Sequence, residues 1–231
     1  LTQIEFPEQF MVECPVSGMF SGCASLTELN LSEYDAAKQN STQFITVGCN
    51  NMSNMFNGCE KLTVLGIDSF DTSSVSNFSG MFKNCYAMET LDVDGFVTSN
   101  AINMSSMFEG CHALKTIAAH AFDVSRVTNM DSMFSECRSL ETLDLSTWVL
   151  IGGTKVTGNR LFQNDYSLTT IFVGEGWFST DDTQVAPLFS ASTDMFLGCT
   201  AIKGASGATY RPNNTTETVD GKSITFANDR N

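Results

Sequence analysis

A five-residue block, Met-Phe-x-x-Cys, recurs along the chain at a fixed interval. Its four central copies are spaced 26 residues apart and begin at Met55, Met81, Met107 and Met133. Further copies begin at Met19 and Met195, and a degenerate copy begins at Leu161. The longer steps of 36, 28 and 34 residues around these copies indicate insertions in a common register. Because a repeat of this length is one structural unit, the chain is predicted to stack similar coils.

An apolar hexad, Leu-x-x-Leu-x-Leu, begins three residues after each Cys. Its copies begin at Leu26, Leu62, Met88, Leu114, Leu140 and Leu168. Leu1 opens an earlier copy, and Ile202 opens a fading last one. The last four residues of the hexad alternate between apolar and polar, as in a half-buried β-strand, and the pattern is the strand signature of leucine-rich repeats.

An aromatic residue follows eight positions after the start of most hexads. These residues are Tyr34, Phe70, Phe96, Phe122 and Trp148, with Trp177 one position late. In the next segment Val75, Phe78, Phe82 and Cys85 are spaced three, four and three residues apart, which predicts one face of a short helix. Each coil is therefore expected to contain a strand, an aromatic turn and a short helix.

The predicted fold class is an α/β leucine-rich-repeat solenoid of about seven coils, each with a short parallel β-strand and a short helix. We expect the solenoid to span residues 1–206, with long insertions bulging at 35–52, 150–160 and 174–194. Residues 207–231 leave the repeat and read either as a hairpin with an Asp220-Gly221 turn that caps the last coil, or as a linker.

The run M-F-x-G-C-x-x-L-x-x-L-x-L resembles the BspA-type leucine-rich repeats of bacterial surface proteins. The stretches Phe70–Phe82 and Phe122–Met130 are similar to the variant found in surface lipoproteins of Mycoplasma and gut bacteria. The resemblance implies export and display at the cell surface or outside the cell, with adhesion to a host or matrix protein or glycan. It implies no catalytic activity, and a signal or lipid anchor is expected outside this sequence.

Charge excludes some partners. The chain carries 12 Lys and Arg against 26 Asp and Glu, for a net charge of −14. Because this field repels phosphate backbones, nucleic acid is not an expected partner. No apolar run approaches the roughly 20 residues that a membrane-spanning helix needs, so no transmembrane segment is expected.

Most of the cysteines are expected to be buried free thiols. Those in the repeat blocks lack a C-x-x-C pair or a His partner, so neither a metal nor another cofactor is predicted. Asp165 replaces Cys in one copy and marks an irregular coil. Cys14 and Cys49 occupy nearly equivalent sites on adjacent coils, and they are either a disulfide or two buried thiols. His112 and His120 are not accompanied by a catalytic motif, so no enzyme activity is predicted.

The outward strand positions form the candidate binding surface, which we expect to be a concave face. Its predicted partner-binding residues are Glu28, Asn30, Thr90, Asp92, Thr116, Thr142, Asp144, Thr170 and Phe172. Two interpretations remain open for the threonines. They either contact a basic or sugar-bearing partner, or they simply suit a solvent-facing strand. The sequence therefore indicates a protein-interaction or adhesion module, with a passive spacer or coat element of the bacterial envelope as the alternative.

Overall fold

The computed structural model describes most of the repeat region. The described residues are 4, 14–31, 46–150, 156–173 and 189–202, together with the backbone of strand segments at 34–35, 40–41, 216–219 and 222–225. Part of each predicted insertion, the aromatic Trp177 and most of the first hexad lie outside the described residues.

The strands are short and pair mainly between equivalent positions of successive coils. They are β1 (Glu28–Asn30), β2 (Tyr34–Asp35), β3 (Asn40–Ser41), β4 (Val64–Gly66), β5 (Thr142–Leu145), β6 (Val156–Thr157), β7 (Thr170–Val173), β8 (Phe189–Ala191), β9 (Thr216–Val219) and β10 (Lys222–Thr225). The pairs β1–β4, β5–β7 and β6–β8 are parallel, and β2–β3 and β9–β10 are antiparallel. Parallel pairing of equivalent residues, such as Leu143 with Ile171, is what stacked coils require.

The predicted short helix in each coil is wrong. Among the described residues the structure contains one helix, a 3-10 turn at Ala119–Ala121. Val75, Phe78, Phe82 and Cys85 are all buried, as a helical face would make them, but residues 71–85 form a succession of turns. We call the eight-residue turn segment of each coil a turn block. The seven turn blocks are 16–23, 52–59, 78–85, 104–111, 130–137, 158–165 and 192–199.

Left-handed residues prevent the turn blocks from becoming helices. In every turn block the third and seventh residues have positive φ, as at Gly80 (62°) and Asn84 (59°). Because a helix needs consecutive right-handed residues, two left-handed positions in eight break it. Gly and Asn recur at these positions because they adopt positive φ at the least cost.

Backbone hydrogen bonds in the turn blocks alternate between two directions. The N–H groups of Phe56 and Phe82 bond to carbonyls of the next coil at 2.8 and 2.9 Å. In between, N–H groups such as that of Asn57 bond three residues back within their own coil, here at 3.1 Å. A central turn block such as 52–59 therefore satisfies half of its N–H groups only when the next coil is present.

The phenylalanine of each turn block stacks on the next one. The ring centroids of Phe82 lie 5.6 Å from Phe56 and 5.7 Å from Phe108, with interplanar angles of 6°. The complete stack comprises Phe20, Phe56, Phe82, Phe108, Phe134, Phe162 and Phe196. Three of the aromatics that follow the hexads, Phe96, Phe122 and Trp148, pack beside this stack, as Trp148 does against Phe134 at 6.3 Å. The prediction that residues one repeat apart lie directly over each other is therefore confirmed for these rings.

A second ladder, separate from the strand pairs β1–β4 and β5–β7, joins successive coils and continues into β6. Parallel bridges join Asn51, Asn77, Asn103, Asn129 and Thr157 in five successive coils. Each Asn also accepts a hydrogen bond from the N–H two residues later, as Asn77 does from Ser79 at 3.0 Å. On the strand side the pairing is interrupted, because only Thr90 and Thr116 bridge between β4 and β5. The Asn side therefore carries the more continuous backbone ladder.

The glycine of the turn block offers a test of the coil spacing. A Cβ at Gly110, where φ is 77°, would lie 2.5 Å from Asn84 Oδ1 in the preceding coil. Gly48 has nearly the same φ, 76°, but a Cβ there would meet nothing within 4 Å. Both Ala variants carry the left-handed penalty of about 1–2 kcal/mol, so Gly110→Ala should cost about 1–3 kcal/mol more than Gly48→Ala.

Urea denaturation of the two variants measures this difference, and Asn84→Gly in the Gly110→Ala background should recover most of it. Equal losses for Gly110→Ala and Gly48→Ala would show that the coils are not in contact at this position.

The residues beyond the repeat contain a two-stranded hairpin. β9 and β10 pair antiparallel, with Val219 opposite Lys222, and the predicted Asp220-Gly221 turn lies outside the described residues. Whether this hairpin covers the last coil, or belongs to a linker, stays a prediction.

Candidate functional site: the strand face

The side chains at the second, third and fifth positions of the hexads form one surface, which we call the strand face. Among the described coils it consists of Thr27, Glu28, Asn30, Thr63, Val64, Gly66, Glu89, Thr90, Asp92, Lys115, Thr116, Ala118, Glu141, Thr142, Asp144, Thr169, Thr170 and Phe172. All of them are exposed or half-buried, whereas the alternate residues of the same strands face the core. All nine residues of the predicted partner-binding face thus share one surface.

Negative charge predominates on the strand face. Its carboxylates are Glu28, Glu89, Asp92, Glu141 and Asp144. Lys115 is the one Lys or Arg of this set, and its Nζ lies 2.6 Å from Glu89 Oε2. Because both partners are more than 60% exposed, this ion pair contributes little to stability. The face therefore presents carboxylates and hydroxyls to solvent.

The aspartates at the fifth hexad position are held in fixed orientations. Asp92 Oδ1 accepts a hydrogen bond from the Asp94 N–H at 3.0 Å, and Asp144 Oδ1 accepts one from the Ser146 N–H at 2.9 Å. Hydrogen bonds from the Ser146 hydroxyl and N–H, together with nearby His120, lower the pKa of Asp144. These turns stabilise the chain where it leaves the strand, so both aspartates have a structural role besides any contact with a partner.

Two shallow depressions lie on or beside the strand face. One of about 440 Å³ is lined by Thr90, Leu91, Asp92, Asp94, Thr116, Ile117, Ala118 and His120. The other, of about 430 Å³, is lined by Lys115, Thr116, Ser139, Glu141, Thr142 and Ser167. They bring together the predicted residues Thr90, Asp92, Thr116 and Thr142. Glu28, Asn30, Asp144, Thr170 and Phe172 lie outside both depressions. Sequence reasoning did not include Asp94, Ala118 and His120 in the candidate surface, although the coil that carries Ala118 and His120 lacks the Asp found at the fifth hexad position of the two coils beside it.

Two large apolar side chains are exposed on the strand face. Phe172 is 54% exposed and Val64 is 53% exposed. They lie in different parts of the face, because Val64 belongs to β4 and Phe172 to β7. Each is a single exposed apolar group and not part of a large continuous patch.

The repeat cysteines form an internal ladder. Five of the six thiols donate a hydrogen bond to a phenylalanine carbonyl of the preceding coil, as Cys85 does to Phe56 at 3.3 Å and Cys111 does to Phe82 at 3.2 Å. Burial raises the pKa of Cys59 and Cys111 to about 12. The thiols are therefore neutral packing groups with a defined hydrogen bond. Among the described residues, no three His, Cys, Asp or Glu side chains are placed to hold a metal ion.

Thiol labelling distinguishes this ladder from a reactive cysteine site. Cys23 is half-buried, whereas the other five free cysteines are buried. Maleimide added to the native protein should modify Cys23 alone within minutes, and all six free thiols should react after unfolding, as counted by intact mass. Rapid modification of Cys85 or Cys111 in the native protein would contradict the buried ladder.

Cys14 and Cys49 are paired as a disulfide in the structure. Their Cα atoms are 5.3 Å apart, which lies within the normal range for such a bond. The bond joins residues 35 positions apart and links the segment before the first turn block to the segment before the second.

Asp165 occupies the cysteine position of the sixth turn block and is fully buried. Its Oδ1 accepts the Cys137 N–H at 2.8 Å, and its Oδ2 has no hydrogen-bond partner among the described residues. Burial raises the pKa of Asp165 well above its usual range, and the charge of Glu136 adds to this effect. The coil predicted to be irregular therefore differs from the others by a buried carboxyl group, while the Phe stack continues through it.

The two histidines lie in one coil but in different surroundings. His112 stacks on Tyr86 with ring centroids 4.6 Å apart. Burial lowers the pKa of His112, and the charge of Arg138 lowers it further. His120 is exposed on the 3-10 helix, and its carbonyl accepts a hydrogen bond from the Thr147 hydroxyl.

The stacked coils and their apolar hexads define the chain as a repeat solenoid. Residues 15–148 and 92–196 match a family described as Mycoplasma protein of unknown function, DUF285. Since these matches together cover most of the chain, the protein belongs to this family. The expected relation to Mycoplasma repeat proteins is confirmed at the level of the family, and the specific repeat variant remains an expectation.

A solved structure of a leucine-rich repeat protein from Bacteroides ovatus is also similar. The two chains are 15% identical with a TM-score of 0.37, and the match covers 87% of this chain and 58% of the other. This chain therefore spans less than two thirds of that protein's length. No curated protein matches. No helix among the described residues is long and apolar enough to cross a membrane.

Proposed function

We propose that the protein is a non-catalytic module for protein interaction or adhesion, displayed at a bacterial cell surface or outside the cell, and that it binds its partner through the strand face. The observation that carries this proposal is the regular exposure of the strand-face side chains over six coils. A partner that follows the solenoid can contact equivalent positions of successive coils, about 4.8 Å apart.

Rigid support favours binding at this surface. The residues beneath it, such as Leu91 and Leu143, belong to the continuous core, and Asp92 and Asp144 are oriented by their own turns. A surface that is ordered before binding loses less conformational entropy on association. The Cys14–Cys49 disulfide supports an oxidising location, because such bonds are rare in reducing compartments.

Lysine substitutions separate the adhesion proposal from the spacer alternative. Thr116→Lys and Thr142→Lys place bulky cations on the strand face, at exposed positions where little stability is at stake. Ser74→Lys is the matched control, because Ser74 is exposed in the turn that follows the aromatic residue, outside the strand face. Binding of each purified variant to immobilised extracellular-matrix proteins and to a glycan array is compared with that of the wild-type chain.

An adhesion module that uses the strand face should lose at least tenfold in affinity for its partner in the Thr116→Lys/Thr142→Lys variant and retain it in Ser74→Lys. A tenfold loss corresponds to about 1.4 kcal/mol. If the wild-type chain binds nothing on either array, or if both variants bind equally well, the strand face is not the adhesive surface and the spacer alternative gains.

A further inference from the structure

One coil lacks a carboxylate at the fifth hexad position, between two coils that each carry one. At the fifth hexad position the neighbouring coils carry Asp92 and Asp144, each closing a turn with its carboxylate, whereas the coil between them carries Ala118. The chain there leaves the strand through the 3-10 helix Ala119–Ala121, which has no side-chain cap. A small residue therefore lies between two oriented carboxylates.

The 440 Å³ depression follows from this missing carboxylate. Leu91, Ile117 and Ala118 contribute apolar lining, and Asp92 and Asp94 lie at one end. Asp144 belongs to the coil on the other side of Ala118, so its carboxylate is about 10 Å from that of Asp92 at roughly 4.8 Å per coil. The depression thus combines an apolar floor with the carboxylates of Asp92 and Asp94, and the Asp144 carboxylate lies outside its lining.

We propose that this depression receives an arginine or lysine side chain of a partner protein, with the aliphatic stem over Ile117 and Ala118 and the cationic head at Asp92 and Asp94. Long cationic side chains pair an apolar stem with a charged end, which matches this lining. The net charge of −14 attracts a basic partner to the molecule as a whole. Lys115, the one Lys or Arg of the strand face, is already engaged by Glu89.

The threonine rim is suited to the same ligand. Thr90 and Thr116 pair across the two coils beside the depression and present hydroxyls that can accept hydrogen bonds from a guanidinium or ammonium group. A neutral sugar would gain no charge interaction from Asp92 and Asp94, so the lining favours a basic protein segment over a glycan. This inference rests on the proposed function, since it names the partner chemistry of the strand face.

Titration with a defined peptide tests the proposal. The probe is a capped glycine–threonine peptide that carries one arginine, and its control is the same peptide with citrulline, which has the same shape but no charge. Amide chemical shifts of the isotope-labelled chain are followed by NMR at low salt. The arginine peptide should shift the amides of Ile117, Ala118 and Asp94, and citrulline should weaken binding at least tenfold.

Asparagine variants locate the effect. Asp92→Asn/Asp94→Asn removes two charges, and the new amide at position 92 keeps an oxygen that can accept the turn hydrogen bond. Asp71→Asn/Asp123→Asn is the matched control, because both aspartates close equivalent turns, with Ser73 and Ser125, away from the strand face. The first double variant should weaken arginine-peptide binding at least tenfold, and the second should change it less than twofold.

Each other outcome overturns the inference. Equal losses in the two double variants would mean that only net charge matters, and equal binding of the citrulline peptide would mean that the cation is not recognised. The proposed function has its own test, and it is wrong if Thr116→Lys/Thr142→Lys leaves binding to the arrays intact. If those variants abolish partner binding while Asp92→Asn/Asp94→Asn does not, the strand face binds and the cation site is wrong.

Discussion

Phe108→Ala should lower the free energy of unfolding by about 3–5 kcal/mol. Phe108 is fully buried and lies in the Phe stack, with ring centroids 5.7 Å from Phe82 and 5.6 Å from Phe134. Removing the ring leaves a cavity that neighbouring coils cannot fill, because their spacing is fixed by backbone hydrogen bonds from Phe82 to Met107 and from Phe108 to Met133. Urea denaturation followed by circular dichroism measures the loss.

Phe172→Ala is the control for this experiment. It removes the same ring from an exposed position on the strand face, so its unfolding free energy should change by less than about 1 kcal/mol. If Phe108→Ala were no more destabilising than Phe172→Ala, the stacked rings would not be the core of the protein.

Asp165→Asn should stabilise the protein at neutral pH by about 1–3 kcal/mol, the cost of a buried polar atom without a partner. The amide oxygen can still accept the hydrogen bond that Asp165 Oδ1 takes from the Cys137 N–H. The amide nitrogen becomes a donor where Oδ2 has no partner among the described residues. In five of the other turn blocks the cysteine at this position donates to the phenylalanine carbonyl of the preceding coil, as Cys137 does to Phe108 at 3.2 Å. The acceptor for residue 165 is thus expected to be the Phe134 carbonyl.

The pH dependence of stability provides an independent check on Asp165. Burial raises the pKa of Asp165 in the folded state, so the folded chain holds a proton that the unfolded chain releases above about pH 3.9. The contribution of Asp165 to the free energy of unfolding is therefore largest at low pH, and it falls as the pH rises towards the raised pKa. Between pH 5 and 7.5 the wild-type chain should lose stability relative to Asp165→Asn.

His112, whose pKa is lowered by burial from an ordinary value of about 6.5, titrates in this window, but it is present in both chains and cancels in the comparison. The other groups with shifted pKa values affect stability outside the window. Hydrogen bonds from Ser73 and Ser125 lower the pKa of Asp71 and Asp123, so their stabilisation is lost only as pH falls below the ordinary carboxyl range. The thiols of Cys137 and Cys199, whose pKa values are raised by burial and by nearby Asp165, affect stability only at alkaline pH. A constant difference between wild-type and Asp165→Asn over pH 5–7.5 would show that Asp165 is not protonated in the fold.

The repeat period was sufficient to predict the ladders. Residues 26 positions apart, such as Phe82 and Phe108, superpose because each coil repeats the same path, and the hexad pattern indicated which strand residues are buried. The helix was predicted wrongly because the spacing of Val75, Phe78, Phe82 and Cys85 is compatible with two structures. Gly80 and Asn84 were the signal that distinguishes them, since residues suited to positive φ recur there in register.

The strand face was predictable, but its depressions were not. Alternation within the hexad placed Thr90, Thr116 and Thr142 on one surface, where the structure has them. The depression beside Ala118 depends on a missing carboxylate and on the 3-10 helix Ala119–Ala121, neither of which follows from periodicity. The sequence shows Ala118 where the two neighbouring coils have Asp92 and Asp144. The shape that results could be seen only with the neighbouring coils in place.

Residue-level hydrogen exchange tests the dependence of each coil on its neighbour most directly. The N–H groups of Phe56, Phe82 and Phe108 bond to the next coil, so they should exchange only through global unfolding and be the slowest in their turn blocks. Phe108→Ala should accelerate exchange at Phe82 and Phe134 together. Fast exchange of these three N–H groups in the wild-type protein, while the turn bonds within each coil stay protected, would contradict the stacked coils and the strand face that depends on them.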